Sequence, residues 1–99
     1  NFAFHGYLPA KEEDRRKRLK ALENESRQAR QTQIFIETPY RNRQMLDTLL
    51  AACAPQTRLC IATDLSLASE SVLTRSISGW QKCEAPDFDR RPTVFLLQA

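Results

Sequence analysis

The stretch Gln33-Ile34-Phe35-Ile36-Glu37-Thr38-Pro39-Tyr40-Arg41-Asn42-Arg43 decides how this chain folds. Its three apolar residues, 34–36, are β-branched or aromatic and are typical of a strand packed on both faces. Pro39 keeps Thr38 extended and brings a φ angle suited to the first turn of a helix, which the Thr38 hydroxyl is placed to cap. The stretch therefore predicts a buried strand that ends in a polar turn and continues as a helix.

The polar turn after this strand has two interpretations. It is a well-formed connection between a strand and a helix, and its polar residues have a structural use as caps. In an open α/β sheet, however, ligands bind at the carboxyl ends of the strands. A second polar loop, Asp64-Leu65-Ser66, follows the apolar segment 58–63. We expect the two buried strands to be neighbours, and if they run parallel, both loops open onto one sheet edge, which is a place for a small ligand.

The rest of the chain alternates between strand and helix patterns. The apolar segment 93–98 predicts a central strand, whereas the mixed segment 70–77 predicts a more exposed one. Ser78 and Gln81 fit a capping box that opens a short helix, and Trp80 is expected to pack its ring on the core. The predicted elements are strands over 2–8, 33–36, 58–63, 70–77 and 93–98, and helices over 11–30 and 42–54. This order predicts an α/β layered domain with a mixed sheet of about five strands flanked by helices.

Composition excludes several classes of protein. The chain has 99 residues and 41% hydrophobic content, and no apolar run approaches the roughly 20 residues of a membrane span. Its three cysteines, Cys53, Cys60 and Cys83, are widely spaced and form no C-x-x-C pair. With a single histidine in the chain, this pattern predicts reduced cysteines in the cytoplasm and no metal site.

The basic residues are concentrated at one place. The net charge is +3, and residues 15–18 read Arg-Arg-Lys-Arg within the predicted first helix. Such a cluster either keeps a helix face solvated or contacts nucleic acid phosphates. In the second interpretation Arg15, Arg16 and Arg18 are the candidate RNA-binding residues.

Motifs for common catalytic chemistry are missing from the sequence. It contains no G-x-G-x-x-G, P-loop, G-x-S-x-G or H-E-x-x-H motif. The only histidine, His5, lies in the middle of a predicted strand and is interpreted as structural. No catalytic residue is therefore assigned from the sequence.

Several separated segments resemble one known family in the order in which they occur. They are Phe4-His5-Gly6-Tyr7-Leu8-Pro9, the basic helix, residues 34–41 and Ala62-Thr63-Asp64-Leu65-Ser66. Together they resemble the C-terminal half of the tetrapyrrole methylase superfamily, above all the branch of the ribosomal small-subunit RNA 2′-O-methyltransferase I proteins. The chain departs from that pattern in having His5 for an acidic residue, Thr38 for serine and Tyr40 for histidine, and in lacking the basic residue after the second loop.

The resemblance implies a methyltransferase that uses S-adenosyl-L-methionine, bound in a cleft between two α/β domains, and a homodimer. Residues 1–99 then form the C-terminal domain of a longer protein, and the N-terminal domain with its Gly-rich loop is absent from this chain. By position, the resemblance assigns cofactor contacts to Glu37, Thr38, Leu65, Ser66, Pro92 and Thr93. It also implies direct displacement at the cofactor's methyl carbon, for which no covalent enzyme intermediate is needed.

Three functional interpretations stay open at this point. The first is methylation of ribosomal RNA, the second is methylation of a small tetrapyrrole, and the third is a basic RNA-binding module without catalysis. The basic helix favours RNA over a tetrapyrrole. If the cofactor lies between two domains, residues 1–99 alone are expected to bind it weakly and to transfer no methyl group, because a one-sided site cannot bury most of the ligand.

Overall fold

Five strands and three α-helices make up the fold. The computed structural model describes residues 1–99, with strands β1 (Phe2–Tyr7), β2 (Thr32–Ile36), β3 (Arg58–Thr63), β4 (Ser71–Ser76) and β5 (Thr93–Gln98). The helices are α1 (Glu12–Ala29), α2 (Asn42–Ala52) and α3 (Ile77–Gln81), and a short 3-10 turn, Pro39–Arg41, leads into α2. The predicted α/β class and the mixed five-stranded sheet are confirmed.

The last strand in chain order lies in the middle of the sheet. The strand order is β1-β2-β5-β3-β4, in which β1 and β2 pair in parallel and every other pair is antiparallel. Because β2 and β3 both run antiparallel to β5, they are parallel to one another and end at the same edge, where β5 begins. The prediction that their two loops share one edge is confirmed, but the prediction that the two strands are neighbours is wrong, because β5 separates them.

The helices cover one face of the sheet. On that face the rings of Phe35 and Phe95 stack with their centroids 5.7 Å apart, and Leu22 and Leu49 from two helices are fully buried in the same core. Trp80 is also buried, and its indole nitrogen donates a hydrogen bond of 2.8 Å to the Leu59 carbonyl oxygen. The prediction that Trp80 packs on the core is confirmed.

The other face of the sheet is covered by no helix of this chain. We call it the open face and define it by two cross-strand rows, Phe4-Ile34-Leu96-Cys60-Thr74 and Ile36-Val94-Ala62-Val72. Nearly all of these side chains are apolar and none is charged, and Phe4 and Val72 are 62% and 52% exposed. The prediction that the 34–36 strand is packed on both faces is therefore wrong, because Phe35 alone points into the core.

Two predicted caps are also wrong. Thr38 makes no side-chain capping bond, because a 3-10 turn precedes α2 and Asn42 begins the α-helix three residues beyond Pro39. In α3 the capping residue is Ser76, whose hydroxyl accepts a 3.1 Å hydrogen bond from the Gly79 backbone N–H. The helix starts at the end of β4, so Ser78 lies inside it. None of the helices combines the length and hydropathy that a membrane span requires.

Candidate functional site

A cleft of about 290 Å³ lies at the sheet edge where β2 and β3 end and β5 begins. We call it the strand-end cleft. Four of the six predicted cofactor residues line it, namely Glu37, Leu65, Pro92 and Thr93, whereas Thr38 and Ser66 do not. Most of the remaining wall is apolar and comes from strand ends and loops, with Ile36, Ala62, Leu67 and Val94. The topology thus brings together residues from three segments that are far apart in the sequence.

Glu37 provides a buried carboxylate in this cleft. Its side chain is almost fully enclosed, at 5% exposure, and its Oε1 accepts a 2.7 Å hydrogen bond from the Thr38 backbone N–H. The nearest cation is the Arg41 guanidinium, whose Nη1 is 3.9 Å from the same oxygen. The second oxygen, Oε2, is buried without any hydrogen-bond partner. A buried carboxylate oxygen without a partner is costly, so it is a ready acceptor for a donor group of a ligand.

On the other side of the cleft, Asp64 joins the loop after β3 to the segment that leads into β5. Its backbone N–H donates to the Pro92 carbonyl oxygen at 3.0 Å, and its carboxylate accepts a 2.8 Å bond from the Ser69 hydroxyl. The Arg91 guanidinium lies 3.5 Å from the same carboxylate oxygen. Both Asp64 and Ser66 have left-handed φ angles, 54° and 70°, which are uncommon outside glycine. This loop is therefore tightly folded, and the Ser66 backbone N–H is engaged by Glu70 at 2.8 Å.

Asn42 fixes the segment that leads into β5. Its side-chain nitrogen, which is buried, lies 2.8 Å from the Phe88 carbonyl oxygen, 2.9 Å from that of Arg91 and 3.1 Å from the Thr93 hydroxyl. These contacts tie the start of α2 to the loop beside the cleft. The sequence gives no signal for this role of Asn42, because an Asn at the start of a helix indicates only a cap and its partners are distant in the chain.

The prediction for Arg15 as an RNA-binding residue is wrong. Its guanidinium is only 3% exposed and donates to the Thr48 hydroxyl at 3.1 and 3.0 Å and to the Ala10 carbonyl oxygen at 2.8 Å. The reason is the helical period, because Arg15 falls on the same inward stripe of α1 as Leu19 and Leu22.

The other two predicted RNA-binding residues have different surroundings. Arg16 is exposed, whereas Arg18 is half-buried with its Nη2 3.4 Å from Nδ1 of His5. The other ring nitrogen of His5 lies 2.5 Å from the Gln33 side-chain oxygen. Because a guanidinium can only donate, His5 accepts through Nδ1 and donates through Nε2. His5 therefore connects α1 to the sheet, in keeping with its interpretation as structural.

The cysteines lie in separate parts of the fold, with Cys53 at the end of α2, Cys60 in β3 and Cys83 after α3. The pKa of the Cys53 thiol is raised to about 12, mainly by burial and also by the negative charge of Glu23, while the positive charge of Lys20 acts in the opposite direction. Cys53 is thus a buried thiol with little thiolate character at neutral pH. No group of three or more His, Cys, Asp or Glu side chains is placed to hold a metal ion.

Two bacterial proteins share sequence with this chain over most of its length. One is the ribosomal RNA small subunit methyltransferase I of Pseudomonas aeruginosa, 37% identical over 71 residues, which are 72% of this chain. The other is the protein of the same name from Xylella fastidiosa, 32% identical over 96 residues, or 97% of this chain. The predicted resemblance to these methyltransferases is confirmed. The chain spans 24% and 34% of the length of these two relatives, and no family model matches it.

Solved methyltransferases share the fold. The methyltransferase CobJ superposes on 99% of this chain with a TM-score of 0.58 at 17% identity, and the chain covers 41% of it. A uroporphyrin-III C-methyl transferase from Thermus thermophilus, solved as a complex with S-adenyl homocysteine, covers 99% of this chain with a TM-score of 0.53 at 16% identity. The chain covers 41% of that protein as well. The chain therefore has the α/β architecture found in one part of these larger enzymes.

Proposed function

We propose that this chain is part of a methyltransferase that uses S-adenosyl-L-methionine to methylate ribosomal RNA, and that the strand-end cleft forms one wall of the cofactor site. The observation that carries the proposal is the cleft itself, which Glu37 and apolar strand ends line and where the Glu37 Oε2 is buried without a hydrogen-bond partner. The names of the two relatives support the reaction and the RNA substrate.

The residues of the cleft suit this cofactor chemically. Apolar walls at Ile36, Val94 and Leu65 match the flat face of a purine. The free Glu37 oxygen can accept a hydrogen bond from a hydroxyl or amino group, and the carboxylates of Glu37 and Asp64 favour a positive sulfonium. When bound, the cofactor supplies an electrophilic methyl group. The residues of this chain bind it, hold it in one orientation and keep water from one side of it.

We assign the other wall of the site to a second domain of a longer protein, with residues 1–99 as its C-terminal domain. The cleft, at about 290 Å³, is slightly smaller than the roughly 300–1,000 Å³ usual for small-molecule sites. It is also open on one side, so it can enclose only part of a nucleoside cofactor. The much greater length of the relatives supports this division.

We further propose a cytoplasmic homodimer. The open face supports the dimer, because exposed faces of antiparallel sheets are ordinarily polar, whereas permanent interfaces between subunits are apolar. The three cysteines, none of which forms a disulfide here, suit a reducing compartment. Arg16 and Arg18 stay as proposed RNA contacts on α1.

Calorimetry tests the cofactor assignment. A protein extended upstream to the length of its relatives should bind S-adenosylhomocysteine with a dissociation constant of about 1–10 μM, equivalent to about −8 to −7 kcal/mol. The 99-residue chain alone should bind at least about a thousandfold more weakly, because losing about 4 kcal/mol of contacts has that effect. Equally tight binding by both proteins would contradict a site shared between two domains. No binding by either would leave RNA binding without catalysis as the function.

A further inference from the structure

An exposed tyrosine stands beside the strand-end cleft. Tyr40 lies in the 3-10 turn after β2 and is 81% exposed, the most exposed of the large hydrophobic side chains. A second, shallow cleft of about 320 Å³ runs between Tyr40 and Arg90, lined also by Pro39 and Asp89. Pro39 lines the strand-end cleft too, so the two depressions are adjacent and meet at this residue.

Arginines surround this tyrosine. Arg43 follows Tyr40 by three residues, about one helical turn, and both side chains are exposed. Neither Arg43 nor Arg90 takes part in any ion pair, and Arg41 has only the 3.9 Å contact with Glu37. We call Tyr40, Arg41, Arg43 and Arg90 the arginine–tyrosine rim.

The acidic groups near the rim are few and mostly engaged. Asp87 lies 3.4 Å from the Arg91 guanidinium, which also contacts the buried Asp64. The remaining exposed carboxylates are Asp89, beside the second cleft, and Asp47, one helical turn after Arg43 on α2. The three guanidinium groups of the rim therefore outnumber the two exposed carboxylates that border it, and they favour a polyanionic ligand.

The rim is held in place by the fold. The Arg90 backbone N–H donates to the Pro39 carbonyl oxygen at 3.2 Å, which joins the loop to the turn. The buried Asn42 side chain holds the same loop by hydrogen bonds to the Phe88 and Arg91 carbonyl oxygens. Arg90 itself has a left-handed φ of 60°, a conformation that a non-glycine residue keeps only when its surroundings fix it. The rim thus presents its cations from an ordered backbone.

We propose that the arginine–tyrosine rim binds single-stranded RNA immediately beside the strand-end cleft. Tyr40 stacks on a base, and Arg43 and Arg90 contact the flanking phosphates. Stacking platforms beside cations are how proteins hold unpaired strands, whereas the bases of an A-form duplex are not free to stack on a side chain. The substrate class rests on the proposed function, but the binding surface rests on the rim alone.

The basic cluster of α1 fits this task less well. Lys17 is paired with Glu13 at 3.8 Å, Arg15 is buried and Arg18 is turned toward His5. No aromatic residue occurs in α1 to stack on a base. We therefore place the main RNA contacts on the rim and only secondary phosphate contacts at α1.

Fluorescence anisotropy on the 99-residue chain tests the proposal. The probe is a labelled single-stranded RNA of roughly 12 nucleotides, a length typical of single-strand binding sites in proteins. The triple variant Tyr40→Ser, Arg43→Gln, Arg90→Gln should bind at least about tenfold more weakly, because stacking alone contributes about 1–3 kcal/mol per base. Its plot of log affinity against log salt should be shallower by about 1.4, since each lost phosphate contact on a single strand lowers the slope by about 0.7. Tyr40→Phe, which keeps the ring, should bind like the unmodified chain.

The matched control removes two charges at the far end of α1. Arg27→Gln with Arg30→Gln should leave RNA affinity within about twofold, because both residues lie at the opposite edge of the sheet. Equal affinities of the triple and control variants would overturn the proposal, as would a loss seen only with Arg16→Gln and Arg18→Gln. RNA binding that depends on the rim, in an extended protein that binds no S-adenosylhomocysteine, would support the rim while the proposed methyl transfer fails.

Discussion

At the scale of single residues, the free carboxylate oxygen of Glu37 is the group most directly linked to ligand binding. A buried charge ordinarily has a complete set of partners, yet here one oxygen has a backbone donor and the other has none. The side chain is held by its own turn, so its position does not depend on a ligand. This is the arrangement expected of a preformed acceptor.

Replacing Glu37 by Gln tests this role. The side-chain oxygen that accepts from the Thr38 N–H can be kept, while the charge and one acceptor oxygen are lost. We expect the extended protein to bind S-adenosylmethionine about 10- to 100-fold more weakly, equivalent to the roughly 1.5–3 kcal/mol of a hydrogen bond to a charged group. Calorimetry measures this, with Glu25→Gln, at an exposed position of α1 away from the cleft, as the control. Unchanged affinity would show that Glu37 does not contact the cofactor.

Cys53 gives the protein a pH-dependent stability in the alkaline range. Its folded-state pKa is raised to about 12 from the ordinary value of 9.0, chiefly by burial. The folded protein therefore keeps this proton where the unfolded chain loses it. The resulting stabilisation is fully present below pH 9 and is lost as the pH rises from about 9 toward about 12.

Urea unfolding between pH 8 and pH 11 measures this effect. Above the pKa of the unfolded thiol, the free energy of unfolding should fall by up to about 1.4 kcal/mol per pH unit from this group. Cys53→Ala should remove that part of the slope, whatever it does to stability at pH 8. Cys83→Ala, at an exposed thiol, should leave the slope unchanged. If all three proteins show parallel pH profiles, the Cys53 thiol is not the group responsible.

At the scale of elements, α1 shows that a run of like charges is not a uniform surface. Arg15 connects the first turn of the helix to Thr48 of α2, whereas its neighbour Arg16 points to solvent. The two residues have the same chemistry and differ only in helical phase. This difference converts one of them from a candidate RNA contact into a structural link between helices.

The pair gives a clear stability test. Arg15→Gln should lower the free energy of unfolding by about 1–3 kcal/mol, because it leaves buried acceptors without their donor. Arg16→Gln should change it by no more than about 0.5 kcal/mol, as is usual for exposed positions. Chemical denaturation of both variants decides the matter. Equal effects would mean that the Arg15 contacts contribute no net stability.

The pattern of apolar and polar residues along the sequence predicted most of the helices and strands but only part of the candidate site. The apolar segments 58–63 and 93–98 are strands with those same bounds, because their local pattern is unambiguous. The exposure of Ile34 and Ile36 was not predictable, since it depends on whether a second layer covers the sheet. The contacts of Asn42 were not predictable either, because they join residues 46 to 51 positions apart in the sequence.

At the scale of the whole molecule, the open face determines how the domain meets its surroundings. A two-layer domain with helices on one face leaves the other face of its sheet to water or to a partner. Here that face carries apolar side chains across all five strands, from Phe4 to Val72. Such a surface favours association with a complementary one, and an uncharged patch is complementary to itself.

Two neighbouring residues of β4 test the proposed dimer. Val72 lies on the open face and Leu73 points to the opposite side, and both are exposed. Val72→Lys should shift the sedimentation equilibrium toward monomer, because it buries an unpaired charge in the interface. Leu73→Lys should leave the dimer intact. A monomeric unmodified chain, or identical behaviour of both variants, would contradict a dimer built on this face.

The central position of β5 has a consequence for the order of events during synthesis. A ribosome completes β1, β2, β3 and β4 before it reaches Thr93, and in the sheet β2 and β3 are joined only through β5. Until that strand emerges, the nascent chain holds two separate strand pairs, each with an unpaired edge that can join another chain. Closure then depends on contacts distant in sequence, which form slowly. A chain interrupted before Thr93 has the residues for both halves of the sheet but lacks the strand that joins them into one sheet.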